Sequence, residues 1–284
     1  MRKSRKRRNT IIWTVVALVI IIIGYFSFVR PRQQSQQTVT VGIMSGDKHN
    51  EQIWQSVAKT AKDKYHVTVK TKEFTDYNQP NKALQNGDID LNAFQHKLFL
   101  KNWNQAHKTN IVSIGDTYIT PIRVYSNKYK NIKSLPDGAT IAIPNDATNE
   151  SRALVALKNA GLITLKKGTT LATANSIAKN SKNLKFKELA ADQTARSLKD
   201  VDAAVINTNY AQAAGLTDKS VIFVEPTNKD SKQWVNIIAA KKSDRNKKAY
   251  QDVVKSFQTK KTQHLIKKYY GNKELSAWNL NFNK

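Results

Sequence analysis

Ile141–Gly161, IAIPNDATNESRALVALKNAG, runs from a short apolar strand through a polar loop into a helix, with Arg152 expected in the first turn. Strand, loop and helix in that order are the repeating unit of an α/β fold. The junction is also chemically suggestive. A helix N-terminus exposes unpaired backbone N–H groups and a partial positive charge. A guanidinium beside it makes a place for a small carboxylate or phosphate.

The same rhythm extends on both sides. Val39–Met44, Val67–Phe74, the DLNAF segment and Ile111–Ile114 read as strands. Glu51–Tyr65, with apolar residues at Ile53, Trp54, Val57, Ala58 and Ala61, has the spacing of a helix face. Pro80–Asn86, closed by Gly87, and Lys97–Ala106 read as further helices. Towards the C-terminus, Tyr118–Tyr125, Thr140–Ile143, Lys185–Leu189, Ala203–Ile206, Val221–Val224 and Val235–Ala239 are expected strands. Ser151–Ala160, Leu171–Lys179, Gln193–Lys199, Asn209–Ala214 and the Lys-rich stretch Lys247–Tyr270 are expected helices. The alternation predicts largely parallel sheets, and about 245 residues suit two lobes better than one small sheet.

The N-terminus is of another kind. Residues 11–29, IIWTVVALVIIIIGYFSFV, carry no charge and follow a basic run containing Arg2, Lys3, Arg5, Lys6, Arg7 and Arg8. In a helix, 19 residues rise about 28 Å, close to the hydrocarbon thickness of a bilayer. Positive flanks stay cytoplasmic, which places the rest of the chain outside. A cleavable signal peptide is the competing reading, but YFSFVRPR has bulky residues where a peptidase needs small ones. RPRQQSQQT, residues 30–38, reads as a flexible tether.

Composition narrows the chemistry. The 284 residues include no cysteine, which removes disulfides, thiol nucleophiles, Cys-rich zinc sites and lipid-modified cysteine. The formal charge is +26, and removing the eight basic residues of 1–37 leaves +18 on the body. Such a charge invites a nucleic-acid reading. The lysines are scattered, however, and the body is expected outside the cell, where an anionic wall or lipid surface is the more natural counterpart. The histidines His49, His66, His96, His107 and His264 form no close ligand pair. No G-x-S-x-G, P-loop or G-x-G-x-x-G occurs. Asp88 and Asp90 fit a turn and strand edge better than a catalytic pair. An enzyme would lack any visible nucleophile, metal or cofactor grip.

Polar and aromatic groups instead cluster past strand ends, where open α/β sheets bind ligands. Asn145, Thr148, Asn149 and Arg152 follow Ile143. Asn207 and Tyr210 follow Ile206. Phe94, His96 and Phe99 follow the DLNAF strand. Singly, Asn149 also fits a helix cap, Arg152 a solvated arginine, Asn207 a turn former, and Phe94 and Phe99 plain core. Together they suit a ligand with a charged head and an apolar tail.

These residues lie in strings that resemble the methionine-binding MetQ/NlpA family of substrate-binding proteins. The strings are VGIMSGDKHNEQIW, DYNQPNKALQNGDIDLNAFQHKLFL, IAIPNDATNESRAL, DAAVINTNYAQAAGL and WVNIIAA, within roughly residues 38–272. The resemblance implies a type II, periplasmic-binding-protein-like fold of two α/β lobes, here preceded by one N-terminal transmembrane helix. The resemblance does not supply the basic flank at 1–10, the span at 11–29 and the tether at 30–37, which are read from the residues themselves. One lobe would comprise 38–121 with 231–284, and the other 122–230. It further implies an amino acid, most naturally methionine, in the cleft, an ABC permease with its ATPase as partner, no cofactor and no catalysis. Tyr77, Phe94, His96 and Phe99 would surround the ligand side chain. Arg152 would hold its carboxylate with Asn149 beside it, and Asn207 and Asn236 would fix its other polar groups. Two departures stand out: phenylalanine at 99, where the family usually has tyrosine, and the missing lipidated cysteine. Another small amino acid or a peptide, or a surface adhesion or signalling role on the same fold, are the competing functions.

Overall fold

The computed structural model describes residues 13–22 and 37–282. Residues 13–22 form a helix with exposed apolar side chains, Trp13, Ile20 and Ile21 among them. Among the described residues no helix is long and apolar enough to cross a membrane. The rest of the expected 11–29 span lies outside the described residues.

Residues 37–284 are a separate compact unit. Its strands are β1 (Gln37–Met44), β2 (Val67–Phe74), β3 (Leu91–Asn92), β4 (Ile111–Ile119), β5 (Arg123–Tyr125), β6 (Thr140–Pro144), β7 (Thr164–Leu165), β8 (Ile177–Lys179), β9 (Lys185–Leu189), β10 (Ala203–Ile206), β11 (Val221–Val224), β12 (Val235–Lys241) and β13 (Leu275–Ser276). The α-helices are α1 (Lys48–Tyr65), α2 (Gln79–Asn86), α3 (Lys97–His107), α4 (Ala147–Asn159), α5 (Ala191–Thr194), α6 (Thr208–Ala213), α7 (Lys248–Phe257) and α8 (Lys260–Tyr270). Two sheets result, ordered β13-β4-β12-β3-β1-β2 and β11-β5-β10-β6-β9, with β7 and β8 as a small separate ribbon. Each sheet is the centre of one lobe of a two-lobed α/β architecture.

Both sheets are mixed rather than largely parallel. β1 runs parallel to β2 and β3, and β6 to β9 and β10, as strand–helix–strand units require. β12 is antiparallel to β3 and β4, and β5 to β10 and β11, because these strands enter after the chain has crossed between sheets. β1, flanked by β3 and β2, is buried over most of its length, which explains its apolar run VTVGIM.

The first crossing corrects the expected strand Tyr118–Tyr125. β4 ends at Ile119 and β5 begins at Arg123. Pro121 sits between them, and proline cannot donate to a central ladder. The return crossing runs from Glu225 to Trp234, just before β12. The two crossings are bonded to one another: the Glu225 N–H donates to the Ile122 carbonyl at 2.9 Å, and the Ile122 N–H to Glu225 Oε2 at 3.1 Å.

Three helix expectations also change. The stretch Lys247–Tyr270 is two helices, broken at Gln258–Thr259, where the Thr259 hydroxyl caps the second by accepting from the Thr262 N–H. α1 starts at Lys48 because Asp47 caps it, accepting from the N–H groups of His49 and Asn50. Leu171–Lys179 is no α-helix: Ala174–Ser176 is a single 3-10 turn and Ile177–Lys179 becomes β8. The reciprocal Thr173–Ser176 box closes that turn, and Ile177 pairs with Leu165.

Each lobe has its own core. Ile53, Trp54 and Val57 of α1 pack with Val253 and Phe257 of α7 on one face of the first sheet. Leu154, Ala156 and Leu157 of α4 pack with Ile141, Ile143 and Val205 in the second lobe. Where the lobes meet, Tyr77 Oη donates to Asn209 Oδ1 at 2.6 Å, and Tyr210 Oη to the Thr75 carbonyl at 3.2 Å. Gly46, after β1, adopts φ +87°, and a Cβ there would lie 2.8 Å from that of Ala213 in α6. Only glycine lets the lobes approach so closely at this point.

Candidate functional site

All eight residues expected at the site line one cavity between the lobes: Tyr77, Phe94, His96, Phe99, Asn149, Arg152, Asn207 and Asn236. The cavity volume is about 50 Å³, within about 610 Å³ of space among the lining atoms that includes open solvent at the mouth. The first lobe supplies Tyr77, Phe94 and His96 from its loops, Phe99 from the first turn of α3 and Asn236 from the start of β12. The second supplies Asn149 and Arg152 from α4, and Asn207 from the end of β10.

Three rings make an apolar wall. Tyr77, Phe94 and Phe99 stand 5.8–6.0 Å apart, centroid to centroid. Tyr210, 5.0 Å from Tyr77, packs against the wall from across the lobe boundary. Such tilted and edge-on packing suits aromatic quadrupoles and leaves a polarisable surface for an apolar tail.

His96 caps α3: its Nδ1 accepts from the Phe99 N–H at 3.0 Å, which puts the ring proton on Nε2. Burial, and secondarily the Arg152 guanidinium, push His96 down to about 3, against the pull of the nearby Asn149 amide. The ring therefore stays neutral at physiological pH. The sign for stability follows. An unfolded histidine takes up its proton near pH 6.5, the folded one only near 3. The stability that this difference contributes is complete above pH 6.5 and is lost as pH falls towards 3. One pH unit below 6.5 is worth about 1.4 kcal/mol. Urea denaturation at pH 7 and pH 5 should show the parent losing about 2 kcal/mol more than His96→Gln. Equal losses would mean that His96 is not held neutral.

Arg152 differs most from expectation. α4 starts at Ala147, which places Arg152 in the second turn, and the helix end is already occupied. The Asp146 carboxylate accepts from the Asn149 N–H and side-chain amide and from the Thr148 hydroxyl, at 3.0–3.1 Å. The helix N-terminus thus faces a carboxylate of the protein itself. Arg152 is buried, and its Nε and Nη2 bind Glu225, the shortest contact being Nη2 to Oε2 at 2.6 Å. Nη2 also donates to the Thr120 carbonyl at 2.8 Å. The guanidinium carbon lies 4.8 Å from the Trp234 ring centroid. Nη1 takes part in none of these bonds, and it is the donor left for a ligand.

Asn149 and Asn207 form a relay across the second lobe. Asn207 Nδ2 donates to Asn149 Oδ1 at 2.8 Å, so the Asn149 amide is fully engaged by protein. Asn207 Oδ1 is buried with no partner among the described residues, as are His96 Nε2, Asn209 Nδ2, Asn50 Oδ1 and Glu274 Oε2. All five residues line the cavity. Buried polar groups are almost always bonded, so five orphans around one cavity mark a place built for a polar ligand.

Glu225, Thr120, Trp234, Asn209, Asn50 and Glu274 carry no local sequence signal for this site. Glu225 lies 73 residues beyond Arg152, and only the paired crossings bring them together. Asp90 proves structural: it accepts from the Thr40 N–H at 2.8 Å and the Tyr250 hydroxyl at 2.7 Å. Among the described residues no group of His, Cys, Asp or Glu could hold a metal ion.

A cavity between two α/β lobes, with an apolar wall and orphaned polar atoms, defines a two-lobed substrate-binding protein. The chain matches the NlpA lipoprotein family over residues 39–278, and it belongs to that family. It is 40% identical over 250 residues to a probable D-methionine-binding lipoprotein MetQ of Pasteurella multocida, covering 87% of this chain and 89% of that one. Among solved structures it is similar to a nutrient-binding protein from Burkholderia cenocepacia bound to methionine. That structure shares 43% identity and a TM-score of 0.80, with 84% of this chain and 99% of that one covered. The substrate-binding protein of a methionine transporter from Streptococcus pneumoniae also shares 43% identity and a TM-score of 0.80, with 85% and 96% covered. The chain is a binding protein of transport, not an enzyme.

Proposed function

We propose that this chain captures methionine between its lobes and delivers it to an ABC permease driven by its ATPase. The observation that carries the reading is the pairing, in one cavity, of the Tyr77–Phe94–Phe99 wall with Arg152 and the orphaned polar atoms. The wall receives the thioether tail, where sulfur–aromatic contact adds about 0.3–1.5 kcal/mol. Arg152 Nη1 and the neutral His96 Nε2–H receive the carboxylate. Asn207 and Asn236 take the remaining polar groups, with Asn149 holding Asn207 in place. The methionine named in relatives and neighbours at about 40% identity supports this assignment.

Capture follows from the hinge. Arg152 is bonded to both crossings, through Thr120 and Glu225. A carboxylate that engages Arg152 therefore acts at the point about which the lobes move, and closure buries the ligand. In this reading the fold is of type II, with 38–121 and 231–284 as one lobe and 122–230 as the other.

The relatives are lipoproteins by name, whereas this sequence has no cysteine to carry a lipid. Residues 11–29, with the basic flank 1–10 and the tether 30–37, take over attachment and keep the body on the extracytoplasmic side. The support is the uncharged 19-residue run behind six basic residues.

Thermal-shift measurement of the purified full-length chain against the twenty amino acids tests the reading. Methionine at 100 times its Kd should stabilise by about 2.7 kcal/mol, a Tm rise of roughly 5–10 °C. No shift with any of the twenty would reject amino-acid capture.

A further inference from the structure

The lysines of the two lobes are answered differently. On the first lobe Lys59, Lys97, Lys247, Lys248 and Lys255 pair with aspartates. On the second, Ser151–Lys187 holds seven lysines and no Asp or Glu. None of those seven is in an ion pair among the described residues. Lys166, Lys167, Lys179, Lys185 and Lys187 are exposed. They gather at β9, the free edge of the second sheet, and at the β7–β8 ribbon beside it. The chain passes from β8 into β9 by the turn Asn180–Leu184. Asn180 closes that turn: Oδ1 accepts from the Leu184 N–H and Nδ2 donates to the Leu184 carbonyl, both at 2.9 Å. Lys179 and Lys185 are thereby held at its two ends. Across the ribbon Lys179 lies opposite Thr164, two residues before Lys166. Half-buried Lys182 donates to the carbonyls of Lys133 and Leu135, at 2.8 and 2.5 Å, and brings exposed Lys133 to the same place. Asp137 and Glu188 are the only acids on these loops and strands.

Phe186, Leu165 and Ile177 turn into the core of the lobe. Lys185 and Lys187 therefore project from the other side of β9, about 7 Å apart. The ribbon, packed on the same core as Phe186, carries Lys166, Lys167 and Lys179 on the near side. A flexible chain can wrap such a ridge, whereas a flat bilayer meets one side of it. Among the described residues of 37–284 the one exposed large apolar side chain is Val224, on the opposite edge strand β11, so nothing on the ridge enters lipid. Nor does an aromatic ring stand ready to stack on a base, since Phe186 is the one aromatic of residues 162–187. Lysine ammoniums are compact point charges that suit phosphate oxygens. We propose that this ridge binds a linear polymer with a phosphodiester in each repeat and no base, on the extracytoplasmic side where the body is placed. None of its lysines lines the cavity, and the contact is independent of methionine capture.

The test is fluorescence anisotropy of end-labelled poly(glycerol phosphate) with the full-length chain in neutral detergent. About five phosphate contacts predict roughly 100-fold weaker binding at about 200 mM than at about 50 mM NaCl. The triple variant Lys166→Glu, Lys179→Glu, Lys185→Glu should bind at least about tenfold more weakly, with methionine affinity unchanged. Glutamine at the same three positions, a milder change for folding, should weaken binding in the same direction. Lysine acetylation read by mass spectrometry locates the contact. In phosphatidylcholine nanodiscs, added polymer should protect Lys166, Lys179 and Lys185. Phosphatidylglycerol nanodiscs, which present a phosphodiester as a lipid headgroup, should not protect them without polymer. Protection by phosphatidylglycerol alone, tighter binding of oligo(dT) of equal charge, binding insensitive to salt, or unchanged affinity in either triple variant overturns the proposal.

Discussion

Arg152→Ala should lose methionine binding by about 2–5 kcal/mol and should also lose about 3–5 kcal/mol of folding stability. The two losses have separate causes. The guanidinium is 2% exposed and is the ionic partner of Glu225, itself 7% exposed. Removing it leaves a buried carboxylate with no countercharge, which costs far more than the net contribution of the intact pair. It also unties α4 from Thr120 and Glu225, and so from both crossings between lobes. Ligand loss comes from Nη1, the donor that the ion pair leaves free. A double variant, Arg152→Met with Glu225→Leu, separates the two effects. It removes the orphaned charge, so denaturation should recover most of the stability, while calorimetry should still show no binding. Near-parent affinity in Arg152→Ala would refute its role as carboxylate ligand. Arg152→Lys should also bind poorly, because one ammonium cannot serve Glu225, Thr120 and a ligand together.

Phe99→Ala should destabilise the fold by about 3–5 kcal/mol, the range for deleting a buried aromatic side chain. Phe99 is buried among Tyr77, Phe94, His96 and Trp103, with ring centroids at 5.8–6.4 Å. Its loss opens a hole in the aromatic wall. Affinity for methionine should fall more than affinity for alanine, whose short side chain reaches less of that wall. A methionine-to-alanine affinity ratio that stays at the parent value would place the side-chain pocket elsewhere. Phe99→Tyr keeps the ring and should cost little stability. Any change it makes in selectivity then reports the added hydroxyl.

The alternation of strand and helix was legible from end to end, because apolar periodicity is set by which face each element buries. Errors fell where a local device overrode periodicity. Pro121 cut a strand in two, Asp47 and Asp146 started helices three and four residues early, and the Thr173–Ser176 box turned an expected helix into a turn and a strand. The antiparallel placing of β12 and β5 was not legible, since strand direction depends on the route between sheets and not on side-chain pattern. At the site, every expected residue reached the cavity, but several roles changed. Asn149 was read as a companion of the ligand carboxylate; in the fold its amide is spent on Asp146 and Asn207.

The sequence alone determined most element types, the family and the eight side chains that meet between the lobes, because short-range pattern and ordered motifs encode all three. Tertiary structure alone decided how much of Arg152 is free. Its charge is answered by Glu225, brought in by a crossing 73 residues later, and one nitrogen remains for a ligand. Long-range pairing of this kind leaves no trace in local sequence, because electrostatic complementarity depends on distance in space.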